Sequence, residues 1–179
     1  MRTINGFQIR EALSRWRARL KVADGQFKDS IWAFADETWK LHPDEVMNEF
    51  TSADAAICAL EVAQQKYNEL VRSNIGSETF SMSLLVKMVG GAGRTAAHWR
   101  LAATDSGKEG RYYQRTNERD KDTIQANRRI NMADAAKLAE KADKRASAIR
   151  AAIARGNATE ITVGSGVGEV EIDLTLIDD

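Results

Sequence analysis

Three cationic side chains at helical spacing are the first residues in this chain with chemistry to offer. Lys87, Arg94 and His98, with Gly91 after the first, follow one another at intervals of four, three and four. On a continuous helix those intervals share one face. The result is a cationic stripe with a gap at the glycine, suited to the phosphate of a small ligand. A second basic group follows in Arg111-Tyr112-Tyr113-Gln114-Arg115, with Arg119, Lys121, Arg128 and Arg129 beyond it. Guanidinium forks pair with phosphate oxygens, and tyrosine rings stack on bases. Glu109, Glu118, Asp120 and Asp122 dilute this charge, which favours a small anion over a continuous nucleic acid. Each group also has a plainer reading: a solvated helix face for the first, a polar loop with internal ion pairs for the second.

Other chemistries lack their residues. His42 and His98 are the only histidines, and neither belongs to a His-x-x-x-His or Glu-x-x-His pair, so no metal site is expected. Gly91-Ala92-Gly93-Arg94-Thr95-Ala96 formally fits the dinucleotide pattern G-x-G-x-x-A, with Leu84 to Val89 as a would-be strand before it. No second strand ending in an acid follows about 20 residues later. A Walker-type loop fails as well, since Arg94 replaces its lysine. There is no nucleophile elbow, and the serines at 77 to 83 suit helix caps. The sequence therefore leads to no catalytic residue, no metal and no cofactor.

Composition narrows the partners. Lys plus Arg and Asp plus Glu each number 26, so the formal charge is zero. A duplex binder draws most of its affinity from neutralising phosphates and carries a basic excess. Nucleic acid is not an expected partner on that ground. Cys58 is the single cysteine, which rules out an intrachain disulfide and points to a reducing, cytoplasmic setting. It neighbours Ile57 and reads as a structural residue on an apolar helix side. Residues 1 to 9 carry no signal core and no long apolar run follows, so no membrane partner is expected.

The elements that must position the stripe come from hydrophobic period. Val46, Phe50, Ala53, Ile57, Leu60, Gln64, Tyr67 and Val71 repeat at fours and threes, the seam of a long helix facing partner helices. Pro43, Asp44 and Glu45 mark its start, and it should run to about Ser73. Before it, Ile9, Leu13, Trp16 and Leu20 predict a helix over 6–23 ended by Gly25. The aromatic stretch from Phe27 to Trp39 fits either a helix or an extended segment. A third helix buries Leu85, Met88, Ala92, Ala96 and Trp99. Its glycines at 90, 91 and 93 together carry a penalty of roughly 3 kcal/mol, most simply offset by close approach of another backbone. Thr104 to Asn131 is polar and aperiodic. Asn131 then caps a fourth helix with Ala135, Ala139, Ala142, Ala146, Ile149 and Ile153 at seam spacing, closed by Gly156 and Asn157. Alternation from Ile161 to Leu176 around Gly164-Ser165-Gly166 predicts a β-hairpin over 159–177. The expected fold is mainly α: one domain over 1–179, an antiparallel bundle of about four long helices over 6–156, and the C-terminal hairpin.

This order of elements resembles the septicolysin-like helical proteins of bacteria and their phages. The residues that carry the likeness are Leu70-Val71-Arg72-Ser73-Asn74, the Ser/Thr-rich start of the third helix, and Ile153-Ala154-Arg155-Gly156-Asn157-Ala158-Thr159. It spans about residues 7 to 163 and departs at 27–39 and at the glycines 90–93. The resemblance implies a helical, self-associating fold and lends no catalytic residues. By type, a compact oligomer of this kind also resembles phage proteins that sequester nucleotide immune signals. The expectation is a non-enzymatic homo-oligomer that binds a small phosphorylated, nucleotide-derived ligand. Lys87, Arg94 and His98 would meet its phosphate, Tyr112 or Tyr113 would stack on its base, and Arg111 or Arg115 would close over it. A helical scaffold without a ligand and an enzyme cleaving such ligands are the alternatives.

Overall fold

The computed structural model describes residues 2–32, 42–105, 114–116, 123–125 and 129–178, the segments 114–116 and 123–125 by their backbone. The elements run β1 (Thr3–Asn5), α1 (Gly6–Ser30), α2 (Pro43–Leu70), β2 (Arg72–Ile75), β3 (Glu78–Ser81) and α3 (Met82–Thr104). They continue as β4 (Gln114–Thr116), β5 (Thr123–Gln125), α4 (Met132–Asn157), β6 (Glu160–Thr162) and α5 (Thr175–Asp178). The protein is mainly α, and its short strands pair two by two, all antiparallel: β1 with β6, β2 with β3, β4 with β5. The chain divides into two compact units, Met1–Ser83 with Ile153–Asp179, and Leu84–Ala152.

In the first unit α1 and α2 lie side by side and antiparallel, Gly6 meeting Tyr67 and Arg17 meeting Glu61. A capping box opens α1: the Gln8 N–H donates to Asn5 Oδ1 at 3.0 Å, and the Asn5 N–H donates to Gln8 Oε1 at 2.9 Å. Most of the expected seam is buried, with Val46, Ala53, Ile57, Leu60, Tyr67 and Val71 in the core, while Phe50 and Gln64 are half-buried. Ile9, Ala12, Leu13 and Ala23 of α1 join them there. Two neighbours depart from expectation. Gly25 does not end α1, which runs on to Ser30, because one solvent-facing glycine costs about 1 kcal/mol and the helix is held along its apolar face. Cys58 is exposed. One residue along a helix is a turn of about 100°, which carries it off the side that Ile57 occupies.

After α2 the chain makes a tight hairpin, β2 to β3, turning at Gly76 with φ +61°, a value that favours glycine. The expected helix end near Ser73 thus falls at Leu70, and Arg72 to Ile75 is strand instead. Of the aromatic stretch, Phe27 is helical and Trp32 is 85% exposed, while 33–41 lie outside the described residues.

The tail turns back at its glycines but does not form the expected hairpin over 159–177. β6 takes its partner from the N-terminus, Ile161 opposite Ile4. Behind it only Val163 and Val170 bridge across the loop, where Gly168 stands at φ +85°. Asp173 then accepts from the N–H and hydroxyl of Thr175 and starts α5, so the alternation of Ile172, Leu174 and Leu176 is not used as strand. That short helix docks on α1. Trp16 Nε1 donates to the Leu176 carbonyl at 3.1 Å, Arg15 donates to the Ile177 carbonyl at 2.5 Å, and Arg2 pairs with Asp178. Arg2 holds the Asp178 carboxyl below its usual range.

One side chain ties these segments together. Tyr67 is fully buried, and its hydroxyl lies 2.8 Å from the Gly156 carbonyl and 2.7 Å from the Thr159 carbonyl. A β-carbon on Gly6 would stand 2.8 Å from the Tyr67 ring and 2.6 Å from Asn157 Oδ1, so glycine is needed there. Gly156 likewise makes room for Met82, whose Sδ fills the place of a β-carbon. Burial pushes the Tyr67 phenol up, while the Gly6 N–H opposes this. A raised phenol pKa means that stability is complete below pH about 10 and is lost as pH climbs past the unfolded value. Tyr67→Phe should lower stability by about 1–3 kcal/mol in urea at pH 7, since the two carbonyls lose their shared donor. Above pH about 10 the wild type should lose stability faster than the variant, and parallel loss in both would count against a buried phenol.

Candidate functional site

The second unit is built on α3 and α4, which lie antiparallel: Met88 and Ile149 line one cavity between them, and Thr104 and Ala136 line another. α3 starts directly after Ser81 and buries Leu85 and Ala96, whereas Met88, Ala92 and Trp99 are half-buried. α4 starts as expected at Asn131, whose Oδ1 accepts from the Asp134 N–H at 2.7 Å. Its seam residues Ala135, Ala139, Ala146 and Ile149 are buried. At the far end the Ala158 N–H returns to the carbonyls of Ala154 and Arg155. Leu84 to Val89 is helix, so the glycine pattern that follows does not open one as a dinucleotide loop does.

The glycines of α3 sit inside the helix without the close contact expected of them. A β-carbon at Gly91 or Gly93 would meet nothing within 4 Å, and at Gly90 only the Arg94 guanidinium, 3.5 Å away. Their helical penalty is therefore not offset by an approaching backbone. Packing at Leu85 and Ala96 and a back-bond from Thr95 Oγ1 to the Gly91 carbonyl, 3.0 Å, hold the helix instead.

Lys87, Arg94 and His98 are all exposed on this helix. At about 100° per residue, Arg94 and His98 fall within about 20° of the line through Lys87, one on each side. α3 contains no Asp or Glu anywhere along its length. Its remaining charge, Arg100, is met by Asp143 of α4 at 3.2 Å. Lys137 and Lys144 of α4 are likewise met by Asp134 and Glu140, at 3.7 and 2.6 Å. Among the described residues Lys87, Arg94 and His98 have no such counter-charge. Lys87 and Arg94, with His98 in line, form a row without a carboxylate partner among the described residues.

Beside that row lies a cavity of about 270 Å³ lined by Met88, Gly91, Ala92, Thr95, Ala142, Arg145 and Ile149. The sequence reading missed Arg145; its one signal is its place in the alanine seam, three residues after Ala142 and next to Ala146. Two other clefts are poorer anion sites. The one at Arg100, Glu140, Asp143 and Lys144 is larger, about 580 Å³, but its charges neutralise one another. In the first unit a cleft at Val62, Lys66 and Gly164 to Gly166 carries Glu169 and Glu171, and the Gly166 N–H already holds the Glu169 carboxylate at 2.8 Å. Arg111, Tyr112 and Tyr113 lie outside the described residues, and Arg115 is placed by its backbone in β4. The structure therefore brings Lys87, Arg94 and His98 together. Among the described residues no cluster of histidine, cysteine or carboxylate side chains could hold a metal ion.

No protein-family model and no curated protein matches this sequence. A crystal structure of a functionally unknown conserved protein from Corynebacterium diphtheriae is similar, with a TM-score of 0.69 and 13% sequence identity. The match covers 89% of this chain and 99% of that one, and at such identity it shows the fold alone. No helix of the described residues is long and apolar enough to cross a membrane.

Open space at Gly93 makes a direct prediction. Gly93→Ala should stabilise the protein by about 1 kcal/mol, raising the thermal midpoint by about 2–4 °C. An unchanged or lowered midpoint in a thermal scan would mean that something packs against this position in solution.

Proposed function

We propose that this is a non-enzymatic, homo-oligomeric binding protein that sequesters a small phosphorylated, nucleotide-derived ligand on α3. The observation that carries the reading is the row of Lys87, Arg94 and His98, without a carboxylate partner among the described residues, on a helix without a single carboxylate. In a chain of zero formal charge, such a row concentrates positive potential locally. Arg94 supplies a fork for two phosphate oxygens, and Lys87 supplies a point charge about 10 Å along the helix. The segment from Arg111 to Arg115 contributes the closing arginines and the stacking tyrosines. Sequestration of a nucleotide immune signal is the biological setting this reading implies.

Self-association draws support from the outer face of α2. Met47 is 42% and Val62 68% exposed, and with the exposed Ala55 and Cys58 they follow a row opposite Leu60. Apolar side chains left outside along one helical line suit contact with another protein surface.

Native mass spectrometry with a panel of linear and cyclic nucleotides tests the reading. A ligand retained unaltered supports sequestration, conversion makes the protein an enzyme, and indifference leaves it a scaffold. Arg94→Glu should weaken retention by about 100-fold or more, leave the far-UV circular dichroism unchanged, and abolish the salt sensitivity of binding. Undiminished retention by that variant would remove the row from the site.

A further inference from the structure

The cavity next to the row has a lining unlike the row itself. Met88, Ala92, Ala142 and Ile149 make it apolar, with Thr95 and Arg145 as its polar members. Gly91 belongs to both places: it stands four residues after Lys87 on the cationic face and also lines the cavity. Lys87, Gly91 and Thr95 follow at fours, so this line drifts by about 40° per step from the cations toward the groove. Four residues also rise about 6 Å along the axis, room for a sugar between a phosphate and the group it carries.

Each lining residue has something to offer a flat ring. Gly91 presents bare backbone, since nothing occupies the space where its β-carbon would stand. Met88 brings a polarisable thioether that packs on aromatic edges. Arg145, exposed at the rim on α4, brings a planar guanidinium that stacks on rings. Thr95 donates its hydroxyl proton to the Gly91 carbonyl and keeps lone pairs free to accept from a base amino group. The volume lies just under the range of about 300–1,000 Å³ usual for small-ligand pockets, which suits one base and not two.

We propose that this cavity takes the planar base of a nucleoside monophosphate whose phosphate lies on the row between Lys87 and Arg94, with Arg145 stacked over the ring. This rests on the reading of the cationic row given above and adds the class of ligand. Gly91 is then the doorway between the two halves of the site.

AMP and ribose 5-phosphate carry the same phosphate and differ in the base, so their affinities by calorimetry on the full chain separate the two claims. The wild type should bind AMP roughly tenfold tighter than ribose 5-phosphate, the effect of placing part of a ring in an apolar cavity. Ala142→Leu, which fills the cavity from α4 away from the cationic row, should bring AMP down to the level of ribose 5-phosphate without changing the latter. An unchanged far-UV circular dichroism spectrum separates blockage from misfolding. Arg145→Ala should lower AMP binding and spare ribose 5-phosphate, whereas Arg94→Glu should lower both. Equal binding of the two ligands by the wild type would overturn the base site while the phosphate row stands. So would undiminished AMP binding by Ala142→Leu. Binding of neither ligand would overturn the row and this site together.

Discussion

The buried hydroxyl of Tyr67 is the constraint on which the first unit depends. It sits near the end of α2 and lies within hydrogen-bonding distance of the carbonyls of Gly156 and Thr159, at and just beyond the end of α4. At this helix end the Gly156 carbonyl accepts from the Thr159 N–H, and the phenol adds a donor within reach of it and of the Thr159 carbonyl. Gly6 and Gly156 are small because the Tyr67 ring, Asn157 and Met82 occupy the space their side chains would need. The start of α1, the end of α2, the start of α3 and the end of α4 are thereby held at one locus.

Charge is distributed over the helices far less evenly than the zero total implies. α2 carries Asp44, Glu45, Glu49, Asp54, Glu61 and Glu69 against Lys66, whereas α3 carries Lys87, Arg94, His98 and Arg100 against no acid. On α4 Lys137 and Lys144 meet Asp134 and Glu140, and Asp143 is lent to Arg100, while Lys141, Arg145, Arg150 and Arg155 meet no carboxylate among the described residues. What remains unneutralised on α3 is confined to one line beside a small apolar cavity. An anion with a flat apolar group attached is the kind of molecule whose two halves find matching surfaces there.

Much of this was legible in the residues. The period-3.5 repeat from Val46 to Val71 named the buried face of α2, and Asn131 and Gly156-Asn157 named both ends of α4. The intervals between Lys87 and His98 placed those cations on one helical face, because side-chain direction along a helix is a property of spacing. The failures share a cause. Gly25 reads as a stop, the glycines of α3 as a contact and the alternation after Val163 as a second strand, each a local signal that packing overrides. Cys58 was placed with Ile57, although one helical step moves a side chain to a different face.

By itself the sequence determined the four long helices, where several of them begin and end, and which side of each turns inward, because period, capping and proline act over a few residues. Only the tertiary structure decided that β6 pairs with the N-terminus, that α5 docks on α1 through Arg15 and Trp16, and that Arg145 faces the cavity beside Gly91. Those choices join residues far apart in the chain. They rest on which surfaces meet when the helices pack, and no window of neighbouring residues records that.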